Sequence, residues 1–246
     1  MRVLSKLWLL SFLLLPVFAQ PAPVQLYDGR SAISGKGSKL PAAELATVKT
    51  EVKKQANHPV LKRRLDGLNP TFEEFEVRDF VDGSFTQKGA KQRAYLYRYS
   101  YTNGVVVTQG GKVVAHYSGD PGDYALYFAM SKAPDLNGDG LSDLVLIRNT
   151  EDTATIYAYV FSLGAGKSTY LGAATVFSSN VLPGEDPLPD EQIEDTAYRA
   201  TAAGSKLSHQ RYVRHLEGAW KAQGTAEVLK LENSRQVTLS NLNGKN

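Results

Sequence analysis

From residue 72 onward, apolar and polar positions alternate along most of the chain. "RAYLYRYSY" (93–101) sets Tyr95, Tyr97, Tyr99 and Tyr101 on one side and Ala94, Leu96, Arg98 and Ser100 on the other, the period of a strand. "GVVVTQGGKVVAHY" (104–117) predicts a hairpin turning at Gly110-Gly111. "YALYFAM", "LVLI", "ATIYAYVFSL", "STYLGAATVF", "AYRATAA", "HQRYVRHL" and "TAEVLKL" are further strands, most of them separated by Gly, Pro or Asn. Ahead of them the period changes. "PAAELATVKTEVKKQA" (41–56) spaces Leu45, Val48, Val52 and Ala56 by three and four, with Lys49, Lys53 and Lys54 off that stripe. This predicts an amphipathic helix stopped near Pro59, followed by a short helical turn carrying Leu61 and Leu65. The expected fold is mainly β, built of antiparallel blade-like sheets, with an N-terminal amphipathic helix.

The first residues carry a different signal. Arg2 and Lys6 precede the apolar run "LWLLSFLLLPVF", and "VFA" offers small residues for a signal peptidase. Residues 1–19 therefore read as a secretory signal cleaved after Ala19, too short and wrongly flanked for a membrane span. The mature chain is expected to be secreted or periplasmic, with no membrane span. Residues 20–40, rich in Pro, Gly and Ser, read as a linker or loose arm. Residues 41–68 form the helical segment and 69–240 the β-rich domain; the final "NLNGKN" reads as frayed.

Loss of the signal changes the charge balance. Of 28 basic residues two leave, so 26 face 25 acidic ones and the excess falls to +1. Such a near-neutral chain gives no reason to expect a nucleic-acid partner. With no cysteine, disulfides, thiol catalysis and Cys-ligated zinc are excluded.

"PDLNGDGLSDLVLI" (134–147) crowds three carboxylates immediately before an apolar strand. Counting Asp135 as one, oxygen-bearing side chains fall at positions one, three, five and nine: Asp135, Asn137, Asp139 and Asp143. Leu141 at seven can offer only its carbonyl, and Gly140 at six relieves the sharp turn. A hard dication such as Ca2+, which takes six to eight oxygens, suits that spacing. Three carboxylates exceed its charge by one unit, which limits their repulsion. An EF-hand would need a bidentate Glu at position twelve on a helix, but Leu146 stands there inside a strand.

An Asp-x-Asn-x-Asp-Gly-x-x-Asp loop running straight into an aliphatic strand resembles the FG-GAP, or VCBS-like, repeat of integrin-alpha-type β-propellers. The resemblance implies a calcium loop at the rim of an antiparallel blade, with Asp135, Asn137, Asp139 and Asp143 as side-chain ligands and Leu141 as a carbonyl ligand. A shift of 51 residues lays "SFTQKGAKQRAYL" (84–96) over "DLNGDGLSDLVLI" (135–147) and puts Ser84, Thr86, Lys88 and Gln92 at the ligand positions. A lysine ammonium in the centre predicts a metal-free copy. A further shift reaches Asp186, Leu188, Asp190 and Glu194, without the glycine and among prolines. Such units fit a short or partial propeller or a sheet sandwich, since a seven-bladed ring needs roughly twice this chain.

Other motifs lead to plainer readings. "GAGKST" (164–169) lacks the first glycine of a phosphate loop and precedes a strand, so it reads as a hairpin turn. His209 and His215 are about 20 Å apart along a strand, too far for one metal. The tyrosines of 95–101 read as a packed sheet face rather than a sugar platform. "SHQRYVRHLEGAWK" mixes cations with Tyr212 and Trp220 and reads as a mixed-face edge strand. No nucleophile elbow or metalloprotease helix appears. The expectation is a secreted calcium-binding module for binding, adhesion or structure, not an enzyme, with an unknown protein or glycan as partner. The alternative is a secreted hydrolase whose carboxylates are brought together only in space.

Overall fold

Two faces of one strand enter two different cores. In β3 (Gln92–Tyr99), Ala94 and Leu96 point into the space between two sheets, while Tyr95, Tyr97 and Tyr99 pack outward beneath a helix. The computed structural model describes residues 22–64, 74–100, 102–119, 127–150, 153–164, 166–181, 193–216, 218–232 and 237–243. Residues 1–19, read above as a signal, lie outside them, as do Leu65, Tyr101, Asp186, Leu188 and Asp190.

One sheet has the order β13-β5-β4-β3-β2, with β2 at Phe75–Gly83, β4 at Thr102–Gln109, β5 at Lys112–Gly119 and β13 at Leu239–Asn241. The other runs β12-β11-β10-β9-β8-β7-β6. Its strands are β6 (Tyr127–Ala133), β7 (Asp143–Thr150), β8 (Thr153–Gly164), β9 (Lys167–Ser179), β10 (Glu194–Ala203), β11 (Lys206–His215) and β12 (Lys221–Val228). Neighbours pair antiparallel throughout, and this larger sheet curls into a half-barrel. The β4–β5 turn has Gly110 and Gly111 at φ of 57° and 77°, the left-handed pair a two-residue hairpin needs. "GAGKST" is likewise a hairpin, with Gly164 opposite Lys167.

The sheets pack face to face, as in a sandwich, over Leu96, Val105, Tyr117, Leu144, Leu146 and Phe161. The opposite face of β7 sends Val145 and Ile147 into a second core inside the curl. "LVLI" is therefore apolar throughout because both of its faces are covered. The third core lies under α1 (Ala42–Gln55), where Val48 and Val52 meet the tyrosines of β3. Leu45, assigned to the same stripe, is instead exposed; a second helix, α2, spans Pro59–Arg64. Among the described residues no helix is long and apolar enough to cross a membrane.

Two segments differ from their sequence reading. The 20–40 stretch is not a loose arm: β1 (Val24–Asp28) pairs with β10, and the Ser131 hydroxyl on β6 donates to the Leu26 carbonyl at 2.6 Å. Its glycines serve close approach, since a Cβ at Gly35 or Gly37 would overlap the Arg78 or Val77 carbonyl. Residues 239–243 are tied down as well: β13 pairs with β5, the Leu242 amide donates to the His116 carbonyl at 2.8 Å, and Leu242 is buried; 244–246 lie outside the described residues.

Strand starts recur at a fixed interval. β3, β7 and β10 begin at 92, 143 and 194, steps of 143 − 92 = 51 and 194 − 143 = 51. β4 and β8 begin at 102 and 153, again 51 apart. The 51-residue shift that aligns the two loops thus also aligns the starts of the two strands that follow each.

Candidate functional site

The loop between β6 and β7 winds around one carboxylate. Asp135 Oδ1 accepts from the backbone N–H of Gly138 at 2.6 Å and of Asp139 at 3.1 Å, and Oδ2 accepts from Gly140 at 2.7 Å. Gly138 and Gly140 hold φ of 81° and 82°, which turns those amides inward. Asp139 Oδ1 accepts from the Leu141 amide at 2.8 Å, and its Oδ2 accepts from Asn137 Nδ2 at 2.9 Å and from the Ser162 hydroxyl on β8 at 2.6 Å. Burial pushes the Asp139 pKa up, but these hydrogen bonds outweigh it and hold the group below its ordinary value.

Asp143 differs from the other two. It opens β7, is fully buried, and accepts from the Leu136 amide through Oδ2 at 2.7 Å, while Oδ1 is buried with no hydrogen-bond partner. Burial first, then the charges of Asp139 and Asp135, push its pKa up to about 7. A buried carboxylate oxygen without a donor is costly unless something else satisfies it.

The five sequence-predicted residues therefore share one loop, and their donor set is entirely oxygen, the chemistry of a hard dication. Asp135, Asn137, Asp139 and Asp143 bring side chains and Leu141 its carbonyl. In this form they are not gathered into one shell: among the described residues no three Asp, Glu, His or Cys side chains stand close enough to hold an ion. The fit rests on donor chemistry and on the unpartnered Asp143 oxygen.

The 84–92 loop is its counterpart. Gln92 Oε1 accepts from the Phe85 and Thr86 amides at 2.8 and 2.9 Å, as Asp143 accepts from Leu136, and its Nε2 donates to Thr86 Oγ1 and Gln109 Oε1. A neutral amide thus fills the ninth position and satisfies itself. The two loops touch: the Ser142 amide donates to the Ser84 carbonyl at 2.8 Å, and the Ser84 amide to Ser142 Oγ at 3.3 Å. Lys88 does not sit in the centre of its own loop. Its side chain runs across Gly140, where a Cβ would stand 3.0 Å from Lys88 Cδ.

Sequence reasoning missed two polar groups. The first lies under α1, where the Tyr97 hydroxyl is 2.8 Å from Nε2 of the fully buried His116, and His116 Nδ1 is 3.4 Å from Glu51. Burial lowers the His116 pKa by more than Glu51 raises it. Burial raises Glu51, and hydrogen bonds from His116 and Gln55 more than reverse that. Both groups bind fewer protons folded than unfolded, so their contribution is full above a histidine's ordinary 6.5 and declines as pH falls below it. The urea midpoint is expected to drop between pH 7 and 5, and His116→Gln to flatten that drop. A parent midpoint constant over this range would contradict the assignment.

The second is a cleft of about 660 Å³ between α1, the 84–92 loop and the β4–β5 turn. Arg93 lines it and engages both nearby carboxylates, with Nε and Nη2 on Asp82 at 2.7 and 3.0 Å and Nη1 on Glu44 at 2.9 Å. Its hydrogen bonds hold the Asp82 carboxyl low.

The cationic stretch lies on β11, an inner strand and not an edge because β12 pairs with it, and several of the aromatic and cationic groups in and around it are partnered. Arg30 covers the Tyr212 ring and pairs with Asp28; Arg214 covers Trp220 and pairs with Asp195. His209 stacks on Tyr198. No protein-family model, curated protein or solved structure matches this chain.

Proposed function

We propose that this chain is an exported calcium-binding β module, of the FG-GAP or VCBS-like kind that its acidic loop resembles, serving binding or adhesion rather than catalysis. Buried Asp143 carries the reading. It stands at the closing ligand position, its Oδ1 has no donor, and two more carboxylates raise its pKa. A dication held by Asp135, Asn137, Asp139 and Asp143, with the Leu141 carbonyl, supplies the charge that this group lacks. Its role is structural: the loop joins β6 to β7 and touches the 84–92 loop, so binding favours the folded chain by mass action. Export rests on Arg2, Lys6 and the apolar run after them.

The hydrolase alternative gains little support. A glycosidase acid needs a raised pKa beside an ionised partner and access to substrate; Asp143 beside Asp139 has the first but is fully buried. Glu44 and Asp82 share the cleft, but both bind the same guanidinium, and Asp82 is held low.

Calcium titration calorimetry on chelator-stripped protein tests the proposal. About one ion per chain is expected at the 135–143 loop. Absence of binding at millimolar calcium would overturn it.

A further inference from the structure

We propose that the cleft beside the 84–92 loop binds an acidic oligosaccharide, a ligand that carries hydroxyls and carboxylates together. This names the ligand class for the binding role proposed above and rests on that role, though not on the metal.

Two kinds of group line the cleft, carboxylates that accept and ammonium groups that attract an anion. Glu44, Arg93 and Asp82 form a closed trio of net charge −1, with every nitrogen of the Arg93 guanidinium committed to a carboxylate. The Tyr95 hydroxyl donates to Glu44 Oε2 at 2.7 Å and fixes that carboxylate further. Each carboxylate oxygen has more than one acceptor site, and the Asp82 side chain is 68% exposed. The trio therefore offers preorganised acceptors to hydroxyl donors and repels a bare anion.

Lys91 and Lys132 line the same cleft, and neither has an ion-pair partner among the described residues. Lys132 acts on Asp82 only through its field, as does Lys36 in the adjoining groove. These ammonium groups are available to an anion. Sulfate has nothing to donate to Glu44 and Asp82, and a neutral sugar offers the lysines hydroxyl acceptors but no charge. A uronate ring answers both from one small molecule. The volume of about 660 Å³ lies within the range of small-ligand sites and exceeds what one ring fills.

Calorimetry with a galacturonic-acid trimer, in buffer without added calcium, tests the inference. A galactose trimer and sodium sulfate are run as controls. The acidic trimer is expected to bind saturably, and more weakly as salt rises. The Lys91→Ala/Lys132→Ala pair removes two exposed charge contacts and is expected to weaken binding about tenfold. The inference fails if the acidic trimer does not bind, if the neutral trimer or sulfate binds as tightly, or if the lysine pair can be removed without loss. Because the buffer holds no added calcium, such a failure leaves the metal proposal to its own titration.

Discussion

Saturating calcium is expected to raise the melting temperature of the mature protein by about 5–10 °C, and Asp139→Ala to abolish that rise. A ligand at about 100 times its Kd that binds only the folded form adds about 2.7 kcal/mol. For a chain of this size each kcal/mol moves the midpoint by about 2–4 °C. Asp139 is the ligand to remove because it is exposed: alanine there gives up bonds to Ser162, Asn137 and Leu141, and opens no core cavity. Asp143→Ala would strand the Leu136 amide in a buried place and confuse folding with metal binding. Lys88→Ala provides the control. Lys88 aligns in sequence with Asp139 under the 51-residue shift and lies across Gly140, but its loss removes no oxygen donor. That variant should keep the rise. If scanning calorimetry shows both variants responding like the parent, the ligand assignment is wrong.

Asp79→Ala is expected to cost about 3–5 kcal/mol, because it strands three amide donors at about 1–3 kcal/mol each. Asp79 is buried at a bulge in β2, where the register slips between Val77 and Asp79. Its Oδ1 accepts from the Lys36 amide at 3.0 Å and the Phe80 amide at 2.8 Å, and its Oδ2 from the Met130 amide at 2.9 Å. One carboxylate thereby joins the glycine-rich arm, β2 and β6. Alanine leaves three amides without an acceptor. Asp79→Asn retains one oxygen for the Lys36 and Phe80 amides but turns an NH2 toward the Met130 N–H, so it should recover only part of the loss. Urea unfolding measures both variants. A cost below about 1 kcal/mol for alanine would mean that these amides find other partners.

Much of the sheet architecture is legible in the sequence because it depends on local period. The alternation of 93–99 appears as β3, the glycine pair as the β4–β5 turn, and the both-faces-apolar "LVLI" as a strand covered on two sides. Composition misled at 20–40, where glycines that let two backbones touch were read as flexibility. The three residues of β13 are too few to show a period at all. The candidate metal loop is readable for the opposite reason. Its five positions lie within nine residues, so spacing alone names the candidate oxygens, though in the structure they do not converge on one point.

By itself the sequence determined what short-range geometry can determine: strand periods, the β4–β5 turn, the amphipathic helix and the order of oxygens in the 135–143 loop. Only the tertiary structure decided which distant groups become neighbours. Glu51 meets His116, Glu44 and Asp82 share Arg93, Asp79 holds amides from three segments, and Ser84 pairs with Ser142. Side-chain direction along a strand or helix follows from the local backbone. The packing of one sheet on another follows from the shape of the whole core, which no single stretch of residues encodes.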